Sequence, residues 1–182
     1  MAMSEEALVV DADPAVREDV DFARRSDAYL ARALALAYYI LADAHEAEDA
    51  TQDAMARAWK ARRSLRRVES FEAWIDRIVV NSCRERVRRR RSIREISLPL
   101  DAEPEAIDGF GALLARDSVG RALAALSVDQ RTVVVLRYWR DLSLDQIAER
   151  LGWPLGTVKS RLHYGLAALR ERLERDELEV QR

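Results

Sequence analysis

The chain has 182 residues, with 30 lysines and arginines against 32 aspartates and glutamates, a formal net charge of −2, and about half of its residues hydrophobic. Only 6 glycines and 4 prolines interrupt a composition rich in alanine, leucine, arginine and glutamate, which favours amphipathic helices over sheet or disorder. No apolar run reaches the roughly 20 residues that cross a bilayer, the N-terminus lacks the basic-then-apolar start of a signal peptide, and a single cysteine, Cys83, with two distant histidines, His45 and His163, excludes a disulfide framework or a cysteine-rich zinc site; a cytoplasmic protein with no membrane insertion, cofactor or metal is expected.

Charge is sorted into blocks. Seven acids and one arginine lie between Met1 and Phe22, seven arginines between Arg84 and Arg94, and five acids between Ser97 and Ser118. Such sorting suggests separate surfaces with separate partners. Residues 1–21 read as an acidic tail. Helical periodicity begins near Ala23 and runs to about Leu41, with Tyr29, Leu30, Leu34, Tyr38 and Leu41 available for burial. Asp43 and Glu46 have capping-box spacing and open a second helix that runs to about Arg62. That helix turns Glu46, Asp49, Asp53 and Arg57 outward, with Gln52 at the border and Thr51, Met55, Ala58 and Trp59 inward.

A polar segment, Ser64 to Ser70, precedes a third helix from Phe71 to about Arg91. Arg77, Asn81, Arg84 and Arg88 follow at i, i+4, i+7 and i+11 and share one narrow face. A basic stripe with one amide can track a phosphate backbone while the amide reads a base edge; a solvated helix face fits the same pattern. Phe71, Trp74, Ile75, Ile78, Val79 and Ser82 form the core side, and Trp59 and Trp74 read as core anchors. Two prolines, two glycines and four acids between Ser97 and Gly111 then mark a linker. The expected fold is therefore all-α: a tail (1–21), a helical domain (22–95), an acidic linker (96–113), a second helical domain (114–175) and a short C-terminal tail (176–182).

The second domain carries the sharper signals. Ser127 with Gln130 and Ser143 with Gln146 both fit the Ser-x-x-Gln capping box, and Leu142 and Ile147 form a hydrophobic staple around the second. The β-branched run Thr132 to Leu136 could pass for a strand, but the preceding cap and the absence of a partner strand favour helix. After Ser143, Leu144, Ile147, Ala148 and Leu151 define one buried face, Gly152 is a left-handed terminator, and Pro154 opens a new helix. That helix turns Val158, Leu162, Leu166, Leu169 and Leu173 inward and Gly156, Ser160, His163 and Tyr164 outward, flanked by Thr157, Lys159 and Arg161. This is the pattern of a helix-turn-helix whose second helix enters the major groove. Periodicity alone fits an αα-hairpin with a solvated polar face equally well.

The strings Ser143 to Gly152 and Gly156 to His163 closely resemble domain 4 of the extracytoplasmic-function class of bacterial sigma factors. Thr157-Val-Lys-Ser-Arg161 is the most specific of them. Phe71 to Ile75, Ile78 to Asn81 and the basic run Val87 to Arg91 resemble domain 2 of the same class. The resemblance implies a non-enzymatic sigma factor that directs core RNA polymerase to promoters. It implies −35 contacts from Thr157, Lys159, Ser160, Arg161, His163 and Tyr164. It implies −10 contacts from Arg77, Asn81, Arg84 and Arg88, with Arg66 and Arg67 from the preceding loop.

Glu48 to Met55 resembles the family's polymerase-binding helix, so Asp49, Gln52 and Asp53 are implied to dock on the β′ coiled coil. The β flap, promoter DNA and an anti-sigma factor are the other implied partners. Two departures are Tyr164, where the family often has arginine, and Glu85, where it commonly has aspartate. A stand-alone helix-turn-helix regulator is the alternative, in which the Asn81 stripe would be incidental.

Overall fold

The computed structural model describes residues 13–65, 70–96 and 118–180, and all regular structure among them is helical. The helices are α1 (Pro14–Leu41), α2 (Ala44–Ala61) with a 3-10 turn (Arg62–Ser64), α3 (Phe71–Ile96), α4 (Ser118–Ala124), α5 (Val128–Tyr138), α6 (Leu144–Leu151) and α7 (Leu155–Val180).

Helix α1 starts nine residues earlier than periodicity suggested. Asp13 caps it by accepting from the Ala15 amide at 2.9 Å, and Pro14 occupies a position where its missing donor costs nothing. The early turns hold because Phe22 is buried and Asp19 takes two bonds from Arg62, at 2.5 and 2.9 Å. The buried face of α1 is Phe22, Tyr29, Ala33, Leu36, Ala37, Tyr38 and Ile40, while Leu30 is exposed and Leu34 and Leu41 are half-buried. The helix ends at Ala42, which takes a left-handed conformation at φ 56°.

Asp43 caps α2 as its spacing predicted, accepting from the Glu46 amide at 3.0 Å. Ala47, Ala50, Ala54 and Ala58 form a fully buried face. Interaxial distance follows the side chains at the contact, so this alanine strip lets α2 settle closely onto α1 and α3. Helix α3 contributes Phe71, Trp74, Ile75, Val79, Val80 and Cys83, all buried. Phe22 meets Phe71 and Trp74 edge-on, with ring centroids 5.5 and 6.2 Å apart. Trp59, expected inside, is 42% exposed and lies under the Arg62 guanidinium at 4.3 Å, because the strip two residues round the helix already fills the interface.

Burial pushes the Cys83 thiol up to about 12. Only the thiolate is a nucleophile, so at pH 8 the reactive fraction is on the order of one in ten thousand. Iodoacetamide is therefore expected to leave the native chain unlabelled and to modify Cys83 rapidly in urea; fast labelling of the native chain would show that α3 opens locally.

Both predicted capping boxes form in the second group of helices, at Ser127 with Gln130 and at Ser143 with Gln146. The β-branched run folds as helix α5, with Thr132 donating its hydroxyl to the Val128 carbonyl at 2.7 Å. Val133, Leu136, Ile147 and Val158 are fully buried together. Gly152 ends α6 at φ 65°, and Pro154 precedes the first turn of α7. Leu162, Leu169 and Leu173 are half-buried and Leu166 is exposed, so only the first turns of α7 are fully covered. The expected C-terminal tail continues as helix to Val180, and Asp176 meets Arg121 at 3.1 Å. The two helical groups pack on one another, α1 against α5 and α3 against α5 and α6.

Candidate nucleic-acid interface

Helix α7 emerges from the turn at Gly152–Pro154 with Val158 locked into the core, which fixes its rotation. Lys159, Ser160, His163 and Tyr164 are all exposed on one outer face, and Thr157 is half-buried at its edge. A Cβ on Gly156 would meet nothing within 4 Å, so this end of the face is open. The Ser160 hydroxyl donates to the Thr157 carbonyl at 3.0 Å, and the His163 and Tyr164 rings pack edge-on at 5.4 Å. The face is small, polar and basic, with one aromatic edge. Such a surface can enter a major groove about 12 Å wide and meet base edges and phosphates.

Arg161 departs from that face. Its guanidinium lies 4.3 Å over the Trp153 ring and 2.6 Å from the Asp129 carboxylate. A position about 60° from the centre of the buried stripe is a flank that either surface can claim. The Asp129 carboxylate of α5 and the Trp153 ring of the turn claim it here.

The α3 stripe is likewise divided. Asn81 and Arg88 are exposed, and both line a cleft of about 580 Å³ with Arg57, Arg84 and Arg91 on one side and Val128 and Asp129 on the other. Arg84 bonds Asp129 at 2.8 Å and lies 4.9 Å over the Trp153 ring. Arg77 donates to the carbonyls of Arg150, at 2.8 Å, and Glu149, at 3.3 Å. Arg66 and Arg67 lie outside the described residues. Glu85 takes a bond from Arg57 at 2.7 Å, and that guanidinium holds its carboxyl below the usual range.

On α2, Asp49, Gln52 and Asp53 are exposed as periodicity placed them. Asp49 and Asp53 are not free: Arg86 reaches from α3 to Glu46 and Asp49 at 2.6 Å each and to Asp53 at 3.4 Å.

Several residues that shape the site were not anticipated. Asp76 is fully buried and accepts from the Tyr29 hydroxyl at 2.8 Å, Arg140 at 2.9 Å and Arg150 at 2.5 Å. Arg140 also donates to the Tyr29 hydroxyl. Arg131 is buried and donates to the carbonyls of Ile40 at 2.8 Å, Ala124 at 2.5 Å and Leu126 at 3.0 Å; burial lowers it to about 10, so it stays charged at neutral pH. The signal for Asp76 was an acid in the sector of Val80 and Cys83, at i+4 and i+7. Among the described residues, no three metal-ligating side chains converge, and no helix is long and apolar enough to cross a membrane.

Residues 26–93 match the family model for sigma-70 region 2, and residues 122–171 match that for sigma-70 region 4. The chain is similar to the ECF RNA polymerase sigma factor SigW of Bacillus subtilis, with 34% identity over 169 residues that cover 84% of this chain and 88% of the relative. It is similar to the ECF sigma factor SigE of Mycolicibacterium smegmatis, with 33% identity over 98% of this chain and 68% of the relative. Among solved structures it is similar to the sigma factor RpoE bound to the anti-sigma factor NepR from Bartonella quintana, with a TM-score of 0.66, 25% identity, and coverage of 85% of this chain and 97% of that one. CnrH in complex with the cytosolic domain of CnrY gives a TM-score of 0.62 at 25% identity, covering 93% and 95%.

Proposed function

This chain belongs to the extracytoplasmic-function class of RNA polymerase sigma factors, and from that membership we propose which of its surfaces carries each part of the work. It is a non-enzymatic initiation factor that directs core RNA polymerase to promoters. The match to region 2 covers the Asn81 stripe, which leaves no need for a stand-alone regulator with an unrelated N-terminal half. Two domains, 22–95 and 114–175, joined by the acidic segment 96–113, divide that work. Its compartment is the cytoplasm, where the polymerase works.

The outer face of α7 reads the −35 element through Lys159, Ser160, His163 and Tyr164, with Thr157 at its edge. Arg161 joins them once it leaves Asp129. Arg77, Asn81, Arg84 and Arg88, with Arg66 and Arg67, engage the −10 element, and Asn81 receives a base exposed by melting. Asp49, Gln52 and Asp53 dock on a basic surface of core polymerase, the β′ coiled coil; the β flap is the proposed contact of the second domain, and an anti-sigma factor is the proposed antagonist. The observation that carries this reading is the joint exposure of Lys159, Ser160, His163 and Tyr164 on a helix whose rotation the buried Val158 fixes.

Permanganate footprinting beside equilibrium binding, with holoenzyme carrying Asn81→Ala or Lys159→Ala, tests the assignment. Lys159→Ala should weaken binding evenly across promoters and reduce the salt slope by about one. Asn81→Ala should leave closed-complex binding near parental and cut the open-complex yield about tenfold or more, since one good bidentate contact is worth about 1–3 kcal/mol. Equal behaviour of the two variants would remove the division of labour.

A further inference from the structure

Helix α2 carries Glu46, Asp49 and Asp53 at i, i+3 and i+7, neighbours along a single face. Like charges at that spacing repel, so left alone the three side chains would splay apart. They are not left alone. Each nitrogen of the Arg86 guanidinium takes a different acid: Nε donates to Glu46 at 2.6 Å, Nη2 to Asp49 at 2.6 Å and Nη1 to Asp53 at 3.4 Å. The Arg86 side chain is 21% exposed against 60% for Asp49 and 50% for Asp53, so the cation lies beneath the acids and not in front of them. Each aspartate meets Arg86 through Oδ2 and, among the described residues, nothing bonds its Oδ1. Burial opposes the charge of Arg86, but the bond to Glu46 and the fields of the three acids outweigh it and raise the guanidinium above its ordinary value.

Holding the helices together does not require this contact. The buried alanine strip already seats α2 on α3, and Arg57 of α2 bonds Glu85 of α3 at 2.7 Å, an ion pair of the opposite sense. Neutralisation is not the result either. Four carboxylates, Asp43 included, face the two guanidiniums of Arg86 and Arg90, so the patch stays negative. What the arrangement supplies is order. An interface loses affinity for each side chain it must immobilise, and here the immobilising is done before a partner arrives.

We infer that Arg86 is a positioning residue for the polymerase-docking face: from α3 it fixes the Asp49 and Asp53 carboxylates in place, leaving the outer oxygen of each to a basic partner. The inference rests on the docking role proposed above for that face.

Rate constants separate positioning from charge. Arg86→Gln makes the face more negative, and charge alone would then speed association with a basic surface and tighten the complex. Loss of positioning acts on dissociation instead. Arg86→Lys keeps the charge but exchanges a planar fork for a point charge. Association and dissociation of the full chain with core polymerase are measured for each variant, with thermal melting by circular dichroism as the check on folding. Arg86→Lys should associate at the parental rate, and Arg86→Gln at least as fast as the parent. Both should dissociate about tenfold faster, the scale set by two carboxylates that must now be ordered on binding. The lysine variant, the milder change, keeps the test open should the glutamine variant melt early.

Repeating both substitutions in an Asp49→Ala, Asp53→Ala chain completes a double-mutant cycle. There Arg86 has nothing left to position on the docking face, and its replacement should change dissociation by less than about twofold. An equal loss in both backgrounds would mean that Arg86 acts on the fold through Glu46, and would overturn the positioning while leaving the docking reading intact. Parental dissociation in either single variant overturns it too, as does tighter binding by Arg86→Gln, which would make Arg86 a shield. Parental affinity in the Asp49→Ala, Asp53→Ala chain itself removes the docking reading, and the inference with it.

Discussion

Ile147→Ala is expected to melt the second helical group well below the first. Ile147 is fully buried at the point where α6 meets α5 and α7, among Val133, Leu136, Leu151 and Val158. Removing its outer carbons loses their burial and leaves a cavity that two capped, short helices cannot collapse onto without shifting the turn at Gly152. The typical cost is about 2–5 kcal/mol. For a group of some sixty residues, whose folding surplus is small, that is most of what holds it together. Hydrogen exchange resolves the effect by region: amides of α5 to α7 should lose protection while those of α1 to α3 largely keep it. Ile147→Val should cost only about 0.5–1.5 kcal/mol and keep the groups together. Uniform loss of protection across the chain would mean that the two groups unfold as one cooperative unit.

Asp49→Asn with Asp53→Asn should lower affinity for core polymerase about tenfold, mainly through slower association that added salt erases. The amides preserve shape and remove charge. Arg86 makes this choice preferable to arginine substitutions, which would place three like charges in one cluster. In the double variant Arg86 keeps Glu46 at 2.6 Å, so α2 and α3 should remain joined. A competition titration against the parent, with circular dichroism as the check on folding, reads the effect. Unchanged affinity at low salt would sink the docking assignment for this face.

What the sequence disclosed, and what it hid, follows the range of the interactions. The caps at Asp43, Ser127 and Ser143, the terminator at Gly152 and the helical state of Thr132 to Leu136 rest on signals within four residues, and all of them form. The start of α1 was hidden because its cap, Asp13, sits within an acidic run that resembles a tail, and its anchor partner, Arg62, lies 43 residues on from Asp19. The outward placement of Ser160, His163 and Tyr164 was legible because one buried valine fixes the phase. Arg161 was not, because its position on the flank is decided by Asp129 and Trp153, neither of which periodicity brings near it. The contact between the two helical groups was least legible of all: Asp76 meets residues 64 and 74 positions away, and Arg131 reaches back 91. No local pattern encodes such pairs, though an acid among apolar neighbours on α3 was a clue that something would come to meet it.

The alanine strip of α2 separates two kinds of freedom in one helix. Ala47, Ala50, Ala54 and Ala58 have no spare volume, so changes there are policed by the packing of α1 and α3. Asp49, Gln52 and Asp53 interleave with them along the chain but sit outside it, where a substitution repacks no core and the two acids answer only to Arg86. The helix is thus a keyed cartridge, with its shank fixed and its teeth open to recutting. Given the docking role proposed for this face, those three positions, taken together with Arg86, can be redrawn as a set to suit a different polymerase surface while the core of the fold stays as it is.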